Sequence, residues 1–150
     1  MVITFFGHAS LYGCDALKEK VKEVIREHIS VTEKVTFYCG EYGDFDRVSA
    51  QACRELKKEY PQSETVFVTP YFASVQQKKI QYLMELKLYD ATVYPPLEEV
   101  PLRFAISKRN EWMAEKADLV IAYVACSRGG AYKALQFARR KKKTVINLFE

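Results

Sequence analysis

No apolar run in this chain is long enough to cross a bilayer, and no leader-like segment precedes its first strand-like stretch, so neither a membrane span nor a signal peptide is expected. The four cysteines, at positions 14, 39, 53 and 126, lack the paired spacing of a metal site. Reduced thiols in a cytoplasmic protein are the simpler reading, with no metal and no cofactor called for. Charge of one sign is not in large excess. The 23 Lys and Arg against 19 Asp and Glu leave +4, which suits a phosphate-bearing small molecule and is too little to argue for nucleic acid as a partner. Internal repeats, low-complexity stretches and linkers are absent, so residues 1–150 are expected to form one domain. Apolar residues make up 49% of the chain, enough to bury a core and too many for disorder.

What is present is an alternation. Short β-branched and aromatic runs at residues 2–6, 34–39, 65–69, 91–94, 118–124 and 144–148 read as strands. Between them, apolar residues recur at helical spacing: Leu17, Val21, Val24, Ile25 and Ile29; Val48, Ala52, Leu56 and Tyr60, stopped by Pro61; Ile80, Leu83, Met84 and Leu88; residues 104–116 with Trp112 and Met113 inward; and residues 130–142 with Ala131, Leu135 and Ala138 inward. Turn and capping residues fill 10–15. Pro95, Pro96 and Pro101 mark an irregular segment that either lies over a site or simply connects. Strands alternating with helices predict a mostly parallel sheet between helical layers, an α/β Rossmann-like three-layer sandwich.

The most informative stretch runs from Asp118 to Lys133. Its first half is an apolar run of the kind buried on both faces of a parallel sheet. Its second half, Ser127-Arg128-Gly129-Gly130, is a turn that opens a helix. Paired glycines let main chain approach a ligand, and a helix start offers unpaired N–H groups to phosphate. Other strand ends add candidates. Gly7 and His8 follow the first strand, where His8 either donates to a phosphate or bonds within its loop. Gly40, Glu41, Tyr42, Gly43, Asp44, Phe45 and Asp46 follow the second. There Asp44 or Asp46 either holds ribose hydroxyls or caps the next helix. Asp44, Asp46 or Glu41 is also the candidate catalytic carboxylate if a ribosyl bond is cleaved, because a nearby anion stabilises a developing oxocarbenium ion. Arg109, Arg128 and Lys133 are candidate phosphate partners, Ser127 a candidate hydroxyl donor and Tyr132 a candidate for stacking. The basic run Arg139–Lys143 is read as a helix C-terminus, where cations meet the dipole, in preference to a nucleic-acid contact.

In order, the strand ending in Gly7-His8, Phe37 to Asp46, Leu56 to Pro61, Lys108 to Met113, Ala117 to Val124 and Ser127 to Lys133 resemble the SLOG superfamily, near its small stand-alone bacterial and phage members. The resemblance spans nearly the whole chain and implies a nucleotide-binding Rossmann-like domain that pairs as a homodimer through helices beside the site. Relatives in that superfamily include LOG-type nucleoside 5′-monophosphate phosphoribohydrolases, single-stranded-DNA-binding DprA proteins and sensors of NAD-derived signals. Arg109 matches the arginine of the LOG Arg-Lys pair, with Asn110 in place of the lysine. Gly129 and Gly130 match the paired glycines of the following motif. Tyr132, Lys133 and Gln136 stand where LOG enzymes carry glycine, threonine and the glutamate thought to be catalytic. Glutamine neither carries a charge nor exchanges a proton, so the resemblance implies the binding cradle, while Gln136 weakens the case for LOG-type hydrolysis and leaves enzyme activity open. The expected ligand is a purine nucleotide or an NAD- or ADP-ribose-derived molecule, sensed or sequestered. The alternatives are cleavage or transfer of an N-glycosidic bond, and single-stranded DNA binding.

Overall fold

The computed structural model describes residues 1–11 and 14–149. Its six strands form one parallel sheet in the order β4-β3-β2-β1-β5-β6. They are β1 (Val2–Gly7), β2 (Thr36–Cys39), β3 (Glu64–Val68), β4 (Ala91–Val93), β5 (Leu119–Tyr123) and β6 (Thr144–Asn147). The helices are α1 (Cys14–His28), α2 (Asp44–Leu56), α3 (Ser74–Glu85), α4 (Ala105–Lys116) and α5 (Gly130–Arg140), with a 3-10 turn, Leu102–Phe104, leading into α4. The expected α/β Rossmann-like architecture is the one observed. Part of the turn expected over residues 10–15 falls on Tyr12 and Gly13, outside the described residues.

The three layers follow from the two-residue period of the strands. Ile3, Phe5, Phe37, Phe67, Leu119 and Ile121 point into a core shared with Leu17, Val21 and Ile25 of α1, Val48, Ala52 and Leu56 of α2, and Ile80 and Leu83 of α3. Their neighbours Phe6, Val66, Val68 and Val120 point the other way, onto Met113 and Ala114 of α4 and Ala134 and Ala138 of α5. Small residues at the α4 and α5 positions let those helices lie close to the sheet.

Two aspartates set strand register. Asp118, just before β5, accepts the Val2 N–H at 2.8 Å, and its own N–H donates to the Val2 carbonyl at 2.8 Å. Asp90, just before β4, makes the same pair with Thr65 of β3, at 2.8 Å each. Each carboxylate satisfies an N–H at the start of a strand that no neighbouring strand reaches.

Successive strands run outward from β1 to β4, and the chain then returns to the opposite side of β1 to lay down β5. The strand order therefore reverses between β1 and β5. That reversal opens a crevice at their carboxyl ends, where ligands of open α/β sheets bind.

Candidate functional site

The crevice is a cleft of about 310 Å³. The ends of β1 (Gly7, His8, Ala9) and β2 (Gly40, Tyr42), the turn Arg128–Ala131 and one face of α4 line it. Loop ends far apart in sequence thus meet in one hollow.

Gly129 has φ +94, a left-handed conformation that side chains rarely adopt, and no atom lies within 4 Å of where its β-carbon would be. The same open space surrounds Gly130. The turn therefore faces the cleft with bare main chain. The N–H groups of Gly130, Ala131 and Tyr132, at the start of α5, have no intrahelical acceptor, whereas that of Lys133 donates to the Gly129 carbonyl at 3.1 Å. Gly7 lines the cleft too, but its missing side chain serves packing: a β-carbon there would lie 2.3 Å from the Phe45 ring. Gly43, the N-cap of α2, packs against Ala9 and is not among the cleft-lining residues.

Arg109 differs most from its expected role. Its side chain is 2% exposed. Nη1 donates to the Gly40 carbonyl at 2.9 Å and the Val68 carbonyl at 2.7 Å, and Nε donates to Asn110 Oδ1 at 3.0 Å. The fork is thus engaged with the carboxyl ends of β2 and β3 and forms a wall of the cleft, with only its Nη2 side uncommitted. Burial lowers its pKa from the ordinary value, and the charge of Asp46 works against that shift.

Asp46 is the cleft's acid. Its Oδ2 accepts the Tyr42 N–H at 2.8 Å. Burial pushes its carboxyl up to about 6, although the Tyr42 N–H and the Arg109 charge pull the other way. A carboxyl held near that value can take and return a proton near neutral pH. Asp44 points elsewhere, accepting the Leu11 N–H at 2.9 Å and pairing with Arg47 at 3.3 Å. Neither aspartate is the N-cap of α2. That position is Gly43, and no side chain caps the helix. Both carboxylates lie in its first turn instead, where the dipole favours them. Glu41 accepts a hydrogen bond from the Tyr89 hydroxyl and lies outside the cleft lining. Of the three candidate catalytic carboxylates, the cleft receives Asp46 alone.

His8 accepts the Ala125 N–H on Nε2 at 2.7 Å, and its ring meets Tyr123 edge-on at 6.2 Å. The bond leaves Nδ1 to carry the proton of the neutral ring and ties the β1 loop to the β5 loop. Arg128 is exposed at the rim. Ser127 is exposed and outside the lining, while Lys133 lines a neighbouring hollow between α4 and α5.

The sequence reading assigned no ligand role to Tyr42 or to the α4 face of Ile106, Asn110 and Met113, all of which line the cleft. The Tyr42 ring has Arg109 at 5.4 Å and Lys79 at 5.2 Å from its centroid, and burial raises its hydroxyl pKa. The helical spacing of Ile106, Arg109, Asn110 and Met113 is the signal that would have found that face. Among the described residues, no group of three or more His, Cys, Asp or Glu is placed to hold a metal, and no helix is long and apolar enough to cross a membrane.

No family model matches the chain. It is 25% identical over 138 residues to the uncharacterized SPbeta prophage-derived protein YoqJ of Bacillus subtilis (strain 168), covering 83% of this chain and 81% of that protein. Its fold is similar to DNA processing protein A (DprA) of Streptococcus pneumoniae, with TM-score 0.62, 18% identity and coverage of 95% of this chain and 48% of the other. DprA of Helicobacter pylori is similar too, with TM-score 0.62, 13% identity and coverage of 97% and 63%. The chain thus spans about half to two thirds of those proteins. The fold it shares with them is Rossmann-like. The H. pylori structure is described for its mode of binding single-stranded DNA. That finding corrects the expectation that nucleic acid is not a partner: a mild net charge does not exclude it for this fold, because a strand of a few nucleotides needs only local cations.

Proposed function

We propose that this protein binds single-stranded DNA, seating a nucleotide unit in the cleft between the ends of β1 and β5. The observation that carries this reading is the bare Gly129–Gly130 turn, open to the cleft at the start of α5. Its N–H groups suit a backbone phosphate, and the exposed Arg128 stands beside them. Stacking surface is available along the same edge of the sheet. Exposed Phe72 packs on Tyr94 at 5.4 Å, and Arg103 lies over the ring of exposed Phe104 at 4.8 Å. Cations interleaved with aromatic rings suit unpaired bases without sequence preference. Structural likeness to the DNA-binding H. pylori protein supports the reading. Fluorescence anisotropy with a labelled oligothymidine tests it. Binding that weakens as salt rises is expected, and no binding at low salt to oligonucleotides of any base overturns it.

Asp46 favours a second reading. A carboxyl in the cleft suits ribose hydroxyls, as in a free purine nucleotide or an NAD- or ADP-ribose-derived ligand. If such a ligand were cleaved at its N-glycosidic bond, Asp46 is the cleft carboxylate that would stabilise the ribosyl cation. Thermal-shift assays with AMP, NAD and ADP-ribose, and analysis for free base, check binding and cleavage separately.

A further inference from the structure

A second hollow of about 470 Å³ lies between α4 and α5. Gly130 and Asn110 line both it and the β1–β5 cleft, so the two adjoin at the glycine turn. The hollow follows α5 from Gly130 in its first turn to Arg140 in its last. Those 11 residues span about 16 Å at ~1.5 Å each. We propose that this groove is a second nucleoside subsite, so that the ligand carries two nucleosides joined through phosphate, one in each hollow, with the linkage at Gly129–Gly130. The proposal rests on the reading that a nucleotide unit occupies the cleft.

The chemistry of the lining matches a base. Tyr132 and Phe137 are half-buried and offer ring surface. Gln136 donates from Nε2 to the Tyr132 hydroxyl at 2.6 Å, and no hydrogen bond among the described residues engages its Oε1. Asn110 accepts from Arg109 on Oδ1, which leaves its Nδ2 hydrogens as donors. One acceptor and one donor on neighbouring helices complement the mixed donor and acceptor edge of a nucleobase. Arg140, at the far end, has its guanidinium 5.9 Å from the Phe137 ring centroid, so a cation stands beyond the aromatic wall. Between the hollows no side chain covers the glycine turn, and a bridging phosphate would reach main-chain N–H groups there.

Calorimetry on the full chain tests this with thymidine 5′-monophosphate, AMP, the dinucleotides pdTpdT and pdApdA, and NAD. At least one two-base ligand is expected to bind at least about tenfold more tightly than its mononucleotide. Gain with pdTpdT or pdApdA identifies a strand as the source, and gain with NAD a pyrophosphate-linked dinucleotide. Ser107→Trp, an exposed α4 position lining the groove and outside the cleft, should erase the gain and leave mononucleotide affinity unchanged. Equal affinity for one-base and two-base ligands overturns the second subsite and leaves the cleft reading standing. A gain that survives Ser107→Trp overturns the groove as its location. If no mononucleotide or dinucleotide binds, the groove assignment falls, and anisotropy with the longer oligonucleotide decides the cleft reading by itself.

Discussion

The Phe45 ring occupies the space that a side chain on Gly7 would need, with 2.3 Å between its Cγ and the position of the missing β-carbon. Phe45 is fully buried in the first turn of α2, against Tyr123 at the end of β5, whose ring stacks on it at 6.3 Å. Gly7→Ala should therefore overpack this contact and lower stability by at least about 1–3 kcal/mol. Chemical denaturation checks the size. A stability equal to wild type would show that Phe45 moves aside freely.

Removing Arg109 should cost more. Arg109→Met keeps bulk but leaves the Gly40 and Val68 carbonyls without their donor and removes one of the two cations whose charge acts on Asp46. A loss of about 2–5 kcal/mol is expected, because each buried acceptor left without its donor costs about 1–3 kcal/mol. Arg109→Lys should rescue little of it, because one ammonium cannot reproduce the planar fork. Urea melts of the two variants decide this, and full rescue by lysine would refute the two-carbonyl clamp.

Asp46 gives the protein a pH signature. Its carboxyl is raised from 3.8 to about 6 in the folded state, so between those values the folded chain holds a proton that the unfolded chain has lost. Stability from this group therefore falls as pH rises from about 4 to 6 and stays low above that. Burial is the main cause. The Glu41 charge adds to it, and Arg109 and Arg47 oppose it. Asp46→Asn should flatten this part of the profile and raise stability at pH 8 by up to about 3 kcal/mol. Thermal melts of both proteins from pH 4 to 8 measure it, and parallel profiles would show that Asp46 titrates normally.

The glycine turn separates stability from binding. Gly130→Ala meets no protein atom within 4 Å and should leave the melting temperature unchanged or slightly higher. Its methyl group would nevertheless stand in the space shared by the two hollows and weaken ligand binding. Gly129→Ala should lose about 1–2 kcal/mol, because φ +94 strains any side chain. Melting curves set beside oligonucleotide anisotropy separate the two effects, and unaltered binding by Gly130→Ala would place the ligand elsewhere.

Local pattern carried much of this far. The apolar periods of Leu17, Val21 and Ile25, and of Val48, Ala52 and Leu56, mark helix faces that the folded core buries. The runs that become β1, β3 and β5 do so equally, because burial on both faces of a parallel sheet leaves near-continuous apolar stretches. Helix starts were less legible. α2 begins at Asp44, ahead of its first periodic residue, because the main-chain bonds Asp44 N–H to the Ala9 carbonyl and Phe45 N–H to the His8 carbonyl anchor it to a distant loop.

The sequence by itself determined which stretches become strands and helices, their α/β alternation and the bare glycine turn after β5, since each follows from neighbours within a few residues. Tertiary structure alone decided which carboxylate faces the cleft, that Arg109 braces two strand ends, and that a second hollow adjoins the first. Those outcomes depend on groups brought together from Gly40, Val68 and Asn110, and on the gap between two helices. No local periodicity encodes contacts across such separations, because only the assembled sheet sets the distances between them.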